Sequence, residues 1–268
     1  MTRPRSTVAV VIPTLNVERI VRPTLESVKW CDEIIIVDMF STDETKEICT
    51  ALPNCRFFER KDFIYGNVNY GIEQSKSDWI IRLDSDEVVS PELRRSIEEV
   101  LADPNPAFDG YEALQHLHFM GYRLKYGFGK DAYRSTLFRK GFAQYSVRSE
   151  HEDFERKGRW GGRLKGHYDH FTNPTISTWV QKTNYYTDKD IEREKSPVSP
   201  SVFRIVYRPI RWFQRYYTFP GQAFRDGMPG LVVALIAAWG MLLMDLKLWE
   251  KAERAKRGSD YVPPHPNA

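Results

Sequence analysis

The first hundred residues alternate short apolar runs with segments of helical spacing. Val8–Ile12, Ile34–Val37 within Glu33–Asp38, and Trp79–Leu83 are nearly unbroken apolar runs rich in β-branched residues. Such runs fit strands covered on both faces of a parallel sheet. Between them, Glu18–Trp30 carries Ile20, Leu25 and Val28 at helical spacing, Asp43–Leu52 and Asn67–Ser75 read as helices, and Arg56–Phe58 reads as a short strand. Pro91–Leu101 reads as a helix with proline in its first turn, where the missing N–H leaves no bond unmade. The β-α-β-α order predicts an α/β fold with a doubly wound, mostly parallel sheet.

From Asp103-Pro-Asn-Pro106 onward the pattern changes. Tyr111–Met120 and Arg134–Arg139 read as strands, Thr175–Glu194 as a helix, and Ser196-Pro-Val-Ser-Pro200 as a linker. Residues 1–105 are expected to form one half of the main domain, 106–200 the other half, and 201–268 a helical tail. Leu231–Met244 is almost wholly apolar but shorter than the roughly 20 residues that span a bilayer. Arg204, Arg208, Arg211 and Arg215 precede it at helical spacing, interleaved with Tyr207, Trp212, Phe213, Tyr216 and Tyr217. This basic, amphipathic tail is expected to lie in or dip into a membrane surface. A core helix or a dimer interface is the plainer alternative.

Charge sharpens that picture. The whole chain has a formal net charge of +3, yet 201–258 alone holds ten Lys/Arg against four Asp/Glu. An anionic partner for the tail follows, either lipid headgroups or nucleic acid. The absence of basic clustering elsewhere argues against nucleic acid. Cys31, Cys49 and Cys55 are odd in number and lack metal-ligand spacing, so reduced thiols in a cytoplasmic setting are expected. Val8–Ile12 is too short for the hydrophobic region of a signal peptide, and no export is expected.

The chemistry concentrates where strands end. Asp84-Ser85-Asp86-Glu87 follows Trp79–Leu83, at the sheet edge where open α/β folds bind ligands. Two carboxylates one residue apart can share Mg²⁺ or Mn²⁺ with substrate phosphates; an acidic turn before the next helix is the bland alternative. Pro13-Thr14-Leu15-Asn16 follows the first strand without a Gly-rich phosphate cradle, which disfavours a P-loop or a dinucleotide fold. Asp38 ends the second strand, placed to accept from a base or ribose, whereas Asp43 suits a helix cap. His167 and His170 flank Asp169 and suit either a metal or structural hydrogen bonds. Glu150–Asp153 reads as a catalytic acidic segment, as a solvated acidic face or as partners for Arg156 and Lys157.

Val11-Ile-Pro-Thr-Leu-Asn16, Ile36-Val-Asp38 with Ser41-Thr-Asp43, and Asp78-Trp-Ile-Ile-Arg-Leu-Asp-Ser-Asp-Glu87 occur in this order. Together they resemble the nucleotide-sugar half of family 2 glycosyltransferases with the GT-A fold. Leu137-Phe-Arg-Lys-Gly141, His151-Glu152, the stretch from Leu164 to His170, and Phe224-Arg-Asp-Gly227 with Gly230 are similar to the bacterial lipopolysaccharide-core glucosyltransferase-like branch. The resemblance implies that Pro13, Thr14 and Asn16 line a nucleoside pocket and that Asp38 binds the base, usually uracil. It implies Asp84 and Asp86 beside the diphosphate with Asp86 on Mg²⁺ or Mn²⁺, His170 near the metal, and Asn69 on the donor side. Glu152 matches the catalytic carboxylate, and Asp153 is its rival. Two positions depart from the pattern: Val68 and Thr136 stand where relatives often carry Arg, so a cation beside the diphosphate is missing unless Lys61 or Arg139 supplies it.

The implied activity is inverting transfer from a nucleotide-sugar, a UDP-sugar by resemblance, to a lipid-linked or lipopolysaccharide-type saccharide. It would take place on the inner face of the cell membrane, with no nucleic-acid partner. A polyprenyl-phosphate acceptor is the close alternative; a nucleic-acid-binding or scaffold protein is the alternative of another class.

Overall fold

In the computed structural model, residues 5–146, 154–172, 175–193 and 199–258 are described. The chain forms two compact units: residues up to 116 with 131–171, and 117–130 with 172 onward.

In the first unit the parallel half follows the apolar pattern closely. Strands β1 (Val8–Thr14), β2 (Glu33–Asp38), β3 (Cys55–Glu59) and β4 (Trp79–Arg82) are joined by α1 (Val21–Val28), α2 (Thr45–Thr50) and α3 (Ile64–Gln74). β1 lies between β2 and β4, and β2 pairs with β3, all in parallel. Alternation within each run sends side chains to opposite faces. Val8, Val10, Ile12, Ile34, Ile36, Trp79 and Ile81 pack on one side with α1 and with α4 (Pro91–Ala102). Ala9, Val11, Ile35, Val37 and Ile80 pack on the other, against Val68 and Ile72 of α3. Both faces are dry, so an uninterrupted apolar run is what these strands require. Gly71 lets α3 approach closely, because a Cβ there would lie 2.5 Å from Val11 Cγ1.

The remaining strands make the sheet mixed. β5 (Glu87–Val89), β6 (Gly110–Phe119), β8 (Ala132–Arg139) and β11 (Trp160–Thr172) extend it in the order β3-β2-β1-β4-β8-β6-β11-β5, where β4 with β8 and β11 with β5 are antiparallel. The sequence-based reading placed no strand at β5 or β11. β9 (Ala143–Tyr145) and β10 (Phe154–Arg156) form a separate antiparallel ribbon. Ser90 caps α4 by accepting from the Leu93 N–H at 3.2 Å, and the same hydroxyl accepts from the His167 N–H. One side chain thus ends β5, starts α4 and holds β11 in place.

The second unit contains β7 (Tyr122–Arg123), which folds back on the end of β6, with helices α5 (Ile176–Arg193), α6 (Val202–Tyr217) and α7 (Gly227–Arg257). Phe119, Leu124 and Val233 are buried together, with Trp179 against them. Lys247 of α7 donates to Thr187 Oγ1 and the Asp188 carboxylate of α5. Asp226 accepts from the N–H groups of Lys125 and Tyr126. Gly230 is obligatory, since a Cβ would fall 1.9 Å from the Ala223 carbonyl oxygen. The apolar run Leu231–Met244 sits within this 31-residue helix, and the longer apolar stretch it creates is sufficient by length and composition to cross a membrane.

Candidate active site

The carboxyl ends of β1, β2 and β4 define one edge of the parallel sheet. Thr14 is the last residue of β1, and its hydroxyl donates to Asp38 Oδ1 at 2.7 Å. The Ser41 hydroxyl donates to the same oxygen, and the Ser41 N–H to Oδ2, both at 2.6 Å. Asp38 is therefore buried, with its carboxylate held by three donors. Asn16 is exposed in a left-handed conformation; its N–H donates to Ser41 Oγ, and its Oδ1 accepts from the Thr42 N–H. Thr14, Asn16, Asp38, Ser41 and Thr42 thus form one hydrogen-bonded rim, with Pro13 beside Thr14 at the end of β1. Asp43 is tied to the start of α2 by bonds from the Thr45 hydroxyl and N–H. Burial would raise its pKa, but those bonds hold it below the usual carboxylate value.

Beyond β4 the chain turns through Asp84, Ser85 and Asp86 into β5. Side-chain interactions fix the turn. Arg82 makes a two-pronged contact with Asp84, at 3.0 and 2.8 Å. Glu87 Oε2 accepts from the Asp84 N–H, and the Thr24 hydroxyl of α1 donates to the Ser85 carbonyl. β11 then delivers His170 opposite Glu87, with Nε2 3.3 Å from Asp86 Oδ1 and Nδ1 3.8 Å from Glu87 Oε1. Gln115 of β6 completes the group, 3.0 Å from Glu87 Oε1 and 3.1 Å from His170 Nδ1.

The electrostatics follow from this crowding. Glu87 is almost wholly buried, and burial followed by the Asp84 charge pushes its carboxyl up to about 7. Burial would lower His170, but its bond to Asp86 and the charges of Asp86, Glu87 and Asp84 outweigh that and raise it to about 9. Ligand atoms of Asp84, Glu87 and His170 all lie within 4.8 Å of one another. Carboxylates with a single imidazole suit a divalent cation bound mainly through oxygen, and the imidazole moves the fit from Mg²⁺ towards Mn²⁺.

Sequence reasoning missed Glu87, Gln115 and Arg82 as members of this group. Glu87 was visible only as one more acid in an acidic run, and Gln115 enters by strand pairing that no local signal announces. Arg82 supplies a cation beside Asp84. Val68, by contrast, is a fully buried core residue of α3, Arg139 is engaged with Asp109 and with the face of Trp79, and Asn69 is engaged at both ends of its amide with the backbone of Tyr145. Glu152 and Asp153 lie outside the described residues. His167 belongs to a different group: it stacks on His116 at 4.0 Å, with Asp169 3.7 Å from its Nε2. Residues 167 and 169 alternate with 170 along β11, so this group and His170 occupy opposite faces of the sheet.

Residues 9–151, more than half the chain, match the family described as Glycosyl transferase family 2. The chain belongs to that family. Among curated proteins, it is 25% identical over 257 residues to the lipopolysaccharide core biosynthesis glycosyltransferase LpsC of Rhizobium meliloti, covering 92% of this chain and 94% of that protein. It is 29% identical to an uncharacterised glycosyltransferase of Rickettsia conorii, covering 93% of each. Among solved structures, S. aureus TarS 1–349 in complex with UDP-GlcNAc aligns with 96% of this chain and 93% of that one, at 12% identity and a TM-score of 0.47. As a member of family 2 the chain is a glycosyltransferase, and its mixed α/β sheet is of GT-A type. Its Asp84–Glu87 turn and its Thr14–Asp38 rim stand on the same edge of one parallel sheet.

Proposed function

We propose that the protein is an inverting glycosyltransferase. It transfers a sugar from a nucleotide-sugar, a UDP-sugar, to a lipid-linked or lipopolysaccharide-type saccharide at the cytoplasmic face of the membrane. The observation that carries this reading is the convergence of Asp86, Glu87 and His170 at the end of β4, beside the rim formed by Thr14, Asn16 and Asp38. The acceptor class is supported by similarity to LpsC along almost the whole chain. The membrane surface is supported by α7, whose apolar stretch is only 28% buried.

In this reading Pro13, Thr14, Asn16 and Asp38 hold the nucleoside. Asp86 and His170 hold the cation, and Asp84, oriented by Arg82, faces the diphosphate. Bound Mg²⁺ or Mn²⁺ supplies positive charge to the departing diphosphate. Glu152 takes the proton from the acceptor hydroxyl as that oxygen attacks the anomeric carbon from the opposite side; Asp153 is the rival base. A single displacement inverts the anomeric centre.

The deciding experiment is a thermal-shift screen with UDP-, GDP- and dTDP-sugars, with and without Mn²⁺, on the wild type and Asp86→Ala. A metal-dependent shift with a UDP-sugar that vanishes in Asp86→Ala is expected. No metal-dependent shift with any donor would overturn the reading. Transfer assays on Glu152→Gln and Asp153→Asn then test the base: loss in the first with retained donor binding is expected.

A further inference from the structure

α6 is unusual among the helices of the second unit, because none of its sixteen residues is buried. Val202, Phe203, Val206, Tyr207 and Ile210 are exposed along it, Phe203 to 72%. A helix that leaves so many large apolar side chains in contact with water is a candidate for an interface. Alongside them run Arg204, Arg208, Arg211 and Arg215, spaced so that they share a face. With Phe203, Tyr207 and Trp212 they line a groove of about 370 Å³.

The four arginines are not equivalent. Asp245 of α7 has no exposed side-chain surface, and its Oδ1 accepts from Arg204 Nε at 3.1 Å and from Arg208 at 2.7 Å. This carboxylate fixes the first two guanidinium groups. Among the described residues, Arg211 and Arg215 are not in ion-pair range of any carboxylate. Arg211 reaches the Tyr207 hydroxyl at 3.4 Å, and Arg215 stands over the Trp212 ring at 5.9 Å. Two uncompensated, planar donor groups in an aromatic groove are suited to an oxyanion with several acceptor oxygens. The apolar stripe beside them suits acyl chains.

We propose that this groove binds the phosphate of a membrane lipid headgroup, with Arg211 and Arg215 as the direct contacts and the apolar stripe of α6 lying in the headgroup region. It rests on the membrane-surface reading above and gives that surface a chemical requirement: phosphate-bearing, anionic lipid. Arg204 and Arg208, held by Asp245, position the helix and line the groove.

The test is vesicle co-sedimentation of the full chain with phosphatidylcholine alone and with phosphatidylcholine containing phosphatidic acid. Wild type should prefer the phosphatidic acid vesicles. Arg211→Ala/Arg215→Ala should lose about fivefold in affinity per arginine on those vesicles and little on neutral ones. Arg211→Lys/Arg215→Lys, which keeps the charge but not the fork, should fall between. Arg19→Ala/Arg22→Ala, outside the second unit, controls for net charge, and melting temperatures check folding. Inorganic phosphate at matched concentration should leave vesicle binding unchanged. Equal binding to both vesicle types, no binding to either, an unaltered double alanine variant, an equal loss in the control variant, or displacement by inorganic phosphate would each overturn the proposal. The wild-type donor shift is read in parallel. Its absence alongside a phosphatidic acid preference sinks the donor reading only, and the converse sinks this one only.

Discussion

His170 Nε2 stands 3.3 Å from Asp86 Oδ1, across the junction between β11 and the turn that follows β4. The two residues are 84 positions apart in sequence and are brought together by the antiparallel pairing of His170 with Glu87. Without a cation, protons perform its electrostatic role: His170 is raised to about 9 and Glu87 to about 7. A group whose pKa is raised on folding stabilises the fold below its unfolded value and loses that contribution as pH rises through its folded one. For Glu87 the loss runs from about 4.5 to 7, and for His170 from about 6.5 to 9. The metal-free protein should therefore melt at progressively lower temperature from pH 5 to about 9. Mn²⁺ supplies the missing charge, so its stabilisation should be larger at pH 8.5 than at pH 6, and calorimetry in buffers of different ionisation enthalpy should detect proton release on binding. A Mn²⁺ effect that does not change with pH would contradict this linkage.

Asp86→Ala and His170→Ala should remove the same property. Each should abolish the metal-dependent part of the donor thermal shift, and each should lower turnover by about 100-fold or more, as loss of several kcal/mol of charge stabilisation implies. Because the two act through one cation, the double variant should be scarcely worse than either single one. Additive losses, measured as kcat/KM, would show that they act separately.

Arg82 donates two hydrogen bonds to Asp84, and its side chain is only 10% exposed. Arg82→Ala should cost about 1–3 kcal/mol in denaturant unfolding, because it leaves Asp84 without its cation. Arg82→Lys restores the charge but not the paired geometry, and should recover part of the stability and less of the donor affinity. Equal donor affinity in all three proteins would remove Arg82 from the site.

The parallel half of the fold was legible because burial on both faces leaves one kind of sequence signal. Ile34–Val37 is apolar without interruption, and all four residues are fully buried in β2. β5 left no such trace: Glu87-Val-Val89 is three residues long and begins with a carboxylate buried against β11 and Gln115 of β6. β11 itself carries Arg163, Lys165, His167 and Asp169 in alternation with Leu164, Gly166 and Tyr168, a half-polar strand whose glycines blur the period. For the site, the strand end pointed to Asp84 and Asp86, whereas the placing of His170 beside them came through resemblance, since neither propensity nor spacing joins residues so far apart. Glu87 and Gln115 required the register of the mixed strands.

Gly71 tests the packing that holds the site's sheet flat against α3. A Cβ at this position would meet Val11 Cγ1 at 2.5 Å and Val37 Cγ2 at 3.1 Å. Val11 and Val37 are fully buried core residues of β1 and β2, the strands that end in Thr14 and Asp38. They have no free space into which to retreat, so Gly71→Ala should destabilise the protein by about 1–3 kcal/mol despite alanine's better helix propensity. The displacement should also reach the rim, because moving β1 against β2 alters the Thr14–Asp38 contact of 2.7 Å. Weaker donor binding should therefore accompany the lower melting temperature, and Gly71→Ala/Val11→Ala, which makes room for the new methyl, should restore donor affinity more than stability. If Gly71→Ala melts like the wild type, the close approach of α3 to the sheet is not as tight as these distances require.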